Sequence, residues 1–566
     1  MTAGEASPRN APEPEPVAAE HRQLWARAAA LGVETRYQGA DEIWRSASPE
    51  AVARVVTVLE ADAPAAPGRV GAGPVGPPVT MPRSPDLAGG VTLFCPAYAL
   101  WRPDDRDPSF GQLHRLCREA RRRGVDVVST LPLSAAFHDD PFEPSPYSPV
   151  SRLHWNEAYV DPATIPGAAP DPAGPDGPET FVDWRDLAAR RRRELLAAVE
   201  LLSPSDTATF ERWLIANPDV TDYARFRADT DRGAMAGGGQ TGPTRHRLIR
   251  SYELGQWLAD ESLRRLAADP AAAGLGLDIP IGCHPRGFET RVHPELFAPG
   301  MHVGAPPDLY CPDGQDWGFP PPLPGAGGRS GHTMWRRLVE RVGRPAALLR
   351  IDHVMGVHRL WWIPDGHSPA DGVYVRYPAL DILAAIAESA AAAGTTVVGE
   401  NLGTVPPEVT RVLAATATLG MHEEQFTMLA GEPPGVVPAD TVAGIRTHDM
   451  DAFATAAAQP RSAAYARKLG VADPAAEPGS LLDRVLDRLG RSPAYLVSVD
   501  LDDLAGETRP HNVPGTTDPH GWSRRAGRPV DELLDHPDVA RRLDLLTGAR
   551  AAAATAGRTS TWRTVP

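Results

Sequence analysis

Three apolar runs in this chain end on a carboxylic acid: AALLRID at Asp352, TVVGE at Glu400 and AGIRTHD at Asp449. They lie roughly 50 residues apart, the length of one or two strand–helix units. If each run is a strand of a parallel barrel, its C-terminal end opens on the face where such barrels build their sites. The spacing therefore predicts three acids around one pocket. Crowded acids raise one another's hold on protons, so at least one should stay protonated near neutral pH. Such a set suits a nucleophile, a general acid/base and a third acid that holds the substrate. Any one of the three acids also fits a cap for the helix that follows, or a metal ligand. Arg350, two residues before Asp352, and His448, directly before Asp449, favour one catalytic pocket. His353 and His448 show no HExxH-type spacing, which argues against a metal centre. The chain has no GxSxG elbow and no cysteine with a reactive signature, which leaves carboxylates as the candidate nucleophiles.

The elements that must position these acids begin near Gly90. VTLFCPAY, VDVVSTLPL, GLDIPIGC, AALLRIDH, TTVVGEN, GIRTHD and AYLVSVD read as strands. FGQLHRLCREARRRG, LDILAAIAESAAAAG and PPEVTRVLAATATLG read as helices between them. Strand–helix alternation with about eight strands predicts an α/β fold, a (β/α)8 TIM barrel with inserted helical subdomains, rather than an open doubly wound sheet. The expected organisation is a disordered Pro/Glu-rich tail over 1–18, an N-terminal helical segment over 19–63, a Pro/Gly linker over 64–89, and the catalytic barrel with its insertions over 90–566. The linker contains a literal GxGxxG (Gly71, Gly73, Gly76), but no strand precedes it and no helix follows, so it is not a nucleotide site.

Composition narrows the function further. Of 566 residues, 57 are Lys or Arg and 72 are Asp or Glu, a net charge of −15. That balance argues against nucleic-acid binding. The densest basic run, Arg190 to Arg193, is short and reads as a solvated helix face. Lys468 is the single lysine, which excludes GxxxxGK phosphate loops and leaves little room for Schiff-base chemistry. Four separated cysteines make neither a disulfide framework nor a zinc site. The N-terminal stretch has no apolar core of a signal peptide and no run approaches a membrane span, so a cytoplasmic location is expected.

At the acids, the chain resembles glycoside hydrolase family 77, the amylomaltases or 4-alpha-glucanotransferases. The matching stretches are SPYSPVSRLHWNEAYVDP (145–162), DIPIG and HPELF, VGAPPDLYCPDGQDWGFPP (303–321), RIDHVMGVHRLWWIP (350–364), GVYVRYP (372–378), GENLGTVPPEV (399–409), THD (447–449) and NVPGTTDPHGW (512–522). The resemblance implies a retaining transfer of α-1,4-glucan segments between maltooligosaccharides, with no cofactor or metal. Asp352 would be the nucleophile, Glu400 the general acid and then base, and Asp449 the acid that binds sugar hydroxyls and stabilises the transition state. Arg350 and His448 would hold Asp352 ionised and bond the sugar. Tyr147 would stack under the reacting glucose. Gln315 and Trp317 would lie over the acceptor subsites, and Asn512 would lie close to the site. Trp361 and Trp362 are further candidates for acceptor platforms, with core packing as their alternative.

The resemblance is imperfect. Where the family carries an acid after the DIPIG-like strand, HPRGFETR (284–291) places Arg286, and the usual tryptophan appears as Arg291. The early GxGD segment of many members is replaced by PDDRDPSFGQL, and Gly521 replaces the asparagine often found before Trp522. The changed charge at Arg286 leaves two alternatives: a specialised transglycosylase with a modified sugar acceptor, or a weak or silent glucan-binding protein. Retention of Asp352, Glu400, Asp449, Arg350 and His448 favours an active enzyme.

Overall fold

The computed structural model describes residues 21–39, 41, 43–62, 79–231, 244–308, 311–324, 330–403, 405–513, 518 and 520–560. The expected tail (1–18) and the GxGxxG segment (71–76) lie outside the described residues.

Eight parallel strands form the centre: β1 (Gly90–Phe94), β2 (Val127–Ser129), β3 (Gly274–Ile279), β4 (Ala346–Ile351), β5 (Thr396–Gly399), β6 (Gly420–Glu423), β7 (Thr441–Gly444) and β8 (Leu496–Asp500). They pair in the order β5-β4-β3-β2-β1-β8-β7-β6. A parallel bridge between Val398 and Leu419, with Gly399 N–H donating to Leu419 O at 2.9 Å, brings β5 to the segment entering β6 and closes the ring. The fold is a (β/α)8 barrel. Its strands are apolar runs because both faces are covered, by the barrel interior and by the surrounding helices. The helices stop where the sequence says. Ser109 caps the helix Phe110–Arg122 by accepting from Gln112 N–H at 3.2 Å. Gly394 ends Ala379–Ala393 in the left-handed region (φ +72°), which glycine adopts without strain.

Two departures from expectation bear on the site. Strand β6, with sequence GMHE, has no apolar run to announce it. Strand β7 stops at Gly444, so Asp449 stands on a loop five residues beyond it rather than at the strand end.

Among the described residues, the long connection from β2 to β3 carries the helices α1 (Trp184–Ala198), α2 (Pro204–Ala216), α3 (Asp219–Thr230) and α4 (Arg245–Ala267). The run Arg190–Arg193 sits in α1, and it is not a solvated face. Arg191 is buried, and only Arg193 of the four is exposed. Arg190 bonds Asp107 (2.9 Å) and Asp171 (2.6 Å), and Arg192 bonds Asp231 (2.7 Å). The acids of neighbouring segments pull these cations inward, because a buried guanidinium is tolerated when paired.

A five-stranded antiparallel sheet flanks the barrel in the order Val33–Glu34, Val373–Arg376, Arg359–Pro364, Met301–Ala305 and Gln315–Asp316. The N-terminal segment does supply two helices, Arg22–Ala30 and Pro49–Asp62, but the strand between them makes it one edge of this sheet. Glu34 fixes that edge by accepting from Arg359 (2.5 Å) and Arg376 (2.7 Å). Trp361 and Trp362 lie on the sheet's central strand and are fully buried, with indole N–H groups donating to Pro369 O (2.8 Å) and Tyr377 Oη (3.1 Å). They are core residues and not acceptor platforms. The last part of the expected linker also packs: Met81 is buried and donates from its N–H to Thr416 O at 2.8 Å. No helix among the described residues is long and apolar enough to cross a membrane.

Removing one partner of a buried ion pair strands the other charge. Glu34→Ala leaves Arg359, whose side chain is 10% exposed, without its carboxylate. Chemical denaturation should show a loss of about 3 kcal/mol, and a loss under about 0.5 kcal/mol would mean the edge is held by other contacts.

Candidate active site

The site is built on register. Asp278 on β3 stands opposite Arg350 on β4, and Arg350 stands opposite Val398 on β5. Asp352 and Glu400 follow the ends of β4 and β5 directly, and the ladder continues past both: Asp352 N–H donates to Ile279 O (3.1 Å) and Glu400 N–H to Ile351 O (3.0 Å). One guanidinium joins the acids. Arg350 Nη1 lies 2.5 Å from Asp278 Oδ2 and 3.1 Å from Asp352 Oδ1, and Nη2 lies 3.0 Å from Glu400 Oε2.

The other groups lock onto this core. Tyr147 donates from its hydroxyl to Asp278 Oδ2 at 2.7 Å and stacks on His448, ring centroids 4.9 Å apart and 11° from parallel. Trp522 lies against both rings, at 5.8 and 5.7 Å. His448 Nε2 is 3.2 Å from Asp449 Oδ2, and Asn512 donates to Asp449 Oδ1 at 2.9 Å. Asp449 is 47% exposed, open to the cleft, whereas Asp352 and Glu400 are 17% and 20% exposed. His353 takes a left-handed conformation (φ +43°) that costs backbone energy and aims its N–H at Glu400 Oε2, 2.7 Å away. Trp317 meets the His353 ring edge-on at 5.2 Å, and its indole N–H donates to Gln315 Oε1 at 3.2 Å. The structure thus brings Asp352, Glu400, Asp449, Arg350, His448, Tyr147, Asn512, Trp317 and Gln315 into one connected cluster.

Arg286 stands apart. Its side chain is 54% exposed and its guanidinium reaches Asp140, 4.0 Å away. Among the described residues it forms no ion pair with the three acids. Asp278 was not singled out from sequence, although an acid inside the apolar run GLGLDI was visible there. Burial raises its affinity for a proton, against the pull of Arg350.

The pocket shifts its acids in different directions. Burial, together with Glu400, Asp278 and Asp449, pushes Asp352 well above the usual carboxylate range, although Arg350 opposes this. Burial works the same way on Glu400, but Arg350 and the His353 N–H outweigh it and hold Glu400 below its ordinary value. Asp449 is held at about 2 by His448 and Asn512, against burial. Burial thus favours the neutral form of Asp352, while Arg350 and the His353 N–H favour the ionised form of Glu400.

Asp500, Asp502 and His511 come close enough to ligate an ion. Arg446 already lies 2.9 Å from Asp500, and Arg524 pairs with Asp502. Two guanidinium groups offset the acids, so the cluster fits an ion-pair network that anchors the segment carrying Asn512. Cys95, Cys117, Cys283 and Cys311 are free, and burial pushes the Cys283 thiol up to about 12.

Comparison with known proteins agrees with this geometry. The glycoside hydrolase family 77 profile, described as 4-alpha-glucanotransferase, matches residues 106–529. The chain belongs to this family. A 4-alpha-glucanotransferase of Mycobacterium tuberculosis is 30% identical over 530 residues, covering 77% of this chain and 71% of the relative. An amylomaltase from Corynebacterium glutamicum shares the fold with a TM-score of 0.78 at 22% identity, over 93% of this chain and 99% of that one. An amylomaltase from Streptococcus agalactiae, solved in complex with acarbose, gives 0.69 at 21% identity over 82% and 99%. As a family 77 protein, the chain is a glycosyl-transferring enzyme built on a (β/α)8 barrel.

Tyr147→Phe removes the hydroxyl that donates to Asp278 and keeps the ring. kcat/KM for glucan transfer should fall about tenfold, the effect of one lost hydrogen bond to a charged group, with thermal stability close to wild type. An unchanged kcat/KM would take Tyr147 out of the machinery.

Proposed function

We propose that the protein moves α-1,4-glucan segments between maltooligosaccharides through a covalent intermediate on Asp352. The observation that carries this assignment is the single Arg350 guanidinium within reach of Asp278, Asp352 and Glu400. It keeps Asp352 and Glu400 near one another, as retaining transfer asks of its two carboxyl groups at about 5 Å.

In this scheme an Asp352 oxygen attacks the anomeric carbon while Glu400 gives a proton to the departing glycosidic oxygen. The shortened glucan leaves, and the glucosyl unit stays bonded to Asp352. Glu400 then takes the proton from an acceptor hydroxyl, whose oxygen attacks the anomeric carbon and releases Asp352. Asp449, ionised and turned to the cleft, accepts hydrogen bonds from sugar hydroxyls and stabilises the positive charge that develops on the ring. His448 and Asn512 hold it in place. The Tyr147 ring, stacked on His448, offers its other surface to the glucose.

The first step needs the proton on Glu400 and the charge on Asp352, against the directions in which the pocket by itself shifts the two groups. A donor sugar entering between the carboxyls draws Glu400 away from Arg350 Nη2 and leaves Arg350 to Asp352 and Asp278. The proton then moves to Glu400. Transfer over hydrolysis requires an acceptor hydroxyl to reach the intermediate before water. Trp317 and Gln315, on the sheet edge beside His353, are the groups placed to hold that acceptor.

Maltotriose as sole substrate, with no nucleotide sugar or metal added, should yield glucose and a ladder of longer maltooligosaccharides. Asp352→Asn should lower the rate at least about a thousandfold while the fold persists. Glucose and maltose accumulating without longer products would replace transfer with hydrolysis.

A further inference from the structure

Below the catalytic acids the barrel interior holds a cavity of about 70 Å³, lined by residues from all eight strands. That volume accommodates several water molecules, and its walls offer them polar partners. Asp278 and Arg350 belong to its lining, and so does Glu423, the last residue of β6. Glu423 is 4% exposed. Its Oε2 has no hydrogen-bond partner within the protein, and neither does the buried Oδ1 of Asp278.

The chain makes room for this carboxyl group. The register neighbour of Glu423 on β7 is Gly444, where a Cβ would stand 2.4 Å from Glu423 Oε2. Gly444 is not among the glycines with positive φ, so it is the missing side chain, and not the backbone, that leaves room for Glu423 as it lies.

We propose that Glu423 is a positioning residue of the catalytic centre: through water held in this chamber, its carboxyl group supplies the hydrogen bond that Asp278 Oδ1 lacks, and so holds the Asp278–Arg350 pair in register. The proposal rests on the transfer reaction argued above. Water can bond Glu423 in either protonation state, but only the neutral carboxyl group adds no charge to the chamber, and burial pushes its titration up to about 8. Arg350 and Arg446 favour its ionised form, while Glu400 and Glu424 oppose it. Asp278, His448 and Asp500 face it across the same chamber. Below its titration Glu423 is a neutral donor. Above it, a further carboxylate competes for Arg350 and weakens its pairing with Asp278.

The consequence for stability has a definite sign. In the unfolded chain Glu423 ionises near its ordinary value of 4.5, and in the folded protein near 8. Its contribution is fully present below the first value and is lost as pH rises towards the second. Glutamine, which donates without titrating, escapes that loss.

Wild type, Glu423→Gln and Glu423→Leu are to be compared by thermal unfolding and by maltotriose transfer from about pH 5 to about pH 9. Glu423→Gln should match the wild-type melting temperature at the acid end and exceed it increasingly towards alkaline pH. It should also carry the alkaline limb of activity to higher pH. Glu423→Leu should lower kcat about tenfold with KM within about twofold, and the glutamine variant should recover most of that loss. A melting difference between Glu423→Gln and wild type that does not vary with pH overturns the proposal, as does a leucine variant as active as the glutamine one. If wild type transfers no glucan, the functional assignment fails, and the unfolding comparison still decides whether Glu423 carries a proton in the chamber.

Discussion

One guanidinium organises this protein. Arg350 is pinned by backbone register between β3 and β5, and its two terminal nitrogens meet acids from three consecutive strands. Four carboxyl groups crowded into one pocket would repel one another and take up protons. A single fixed cation among them decides which carry charge. Arginine suits the task because its planar, permanently charged fork bonds several carboxylates at set angles. The barrel supplies the rest: strand ends converging on one face, loops long enough to carry Tyr147, His448 and Asn512 inward, and a strained turn at His353 that directs a backbone N–H at Glu400.

The convergence of Asp352, Glu400 and Asp449 was legible in the sequence because each sits at or beyond the end of an apolar run, and buried parallel strands are written as such runs. The same signal failed wherever the interior is polar. Strand β6 reads GMHE and lines the polar part of the barrel, so neither the strand nor Glu423 announced itself. Asp278 lies in an apolar run read as a strand and as a family match, and its carboxyl group was not singled out. Trp361 and Trp362 had the composition of sugar platforms, but the flanking sheet buries its central strand on both faces. The arginines of α1 look like a solvated face when only their own helix is read; the aspartates that bury them come from segments up to 83 residues away in the chain. The direction in which each carboxyl group is shifted was beyond sequence for a related reason. It depends on whether Arg350 reaches Glu400 as well as Asp352, and that is a matter of tenths of an ångström.

The Asp500–Asp502–His511 cluster shows how little a list of ligand-type residues decides without its surroundings. With Arg446 and Arg524 beside it, the same arrangement serves as an anchor. It fixes the residue next to Asn512, and through Asn512 it helps hold Asp449 in its ionised form.

The flanking five-stranded sheet links regions far apart in sequence. One edge strand is Val33–Glu34, near the beginning of the described chain, and the opposite edge is Gln315–Asp316, next to Trp317. These are the two rims of a single hydrogen-bonded plank. A partner, tag or deletion that tilts the first rim therefore acts as a lever on the second, and shifts Gln315 and Trp317 from the far side of the sheet.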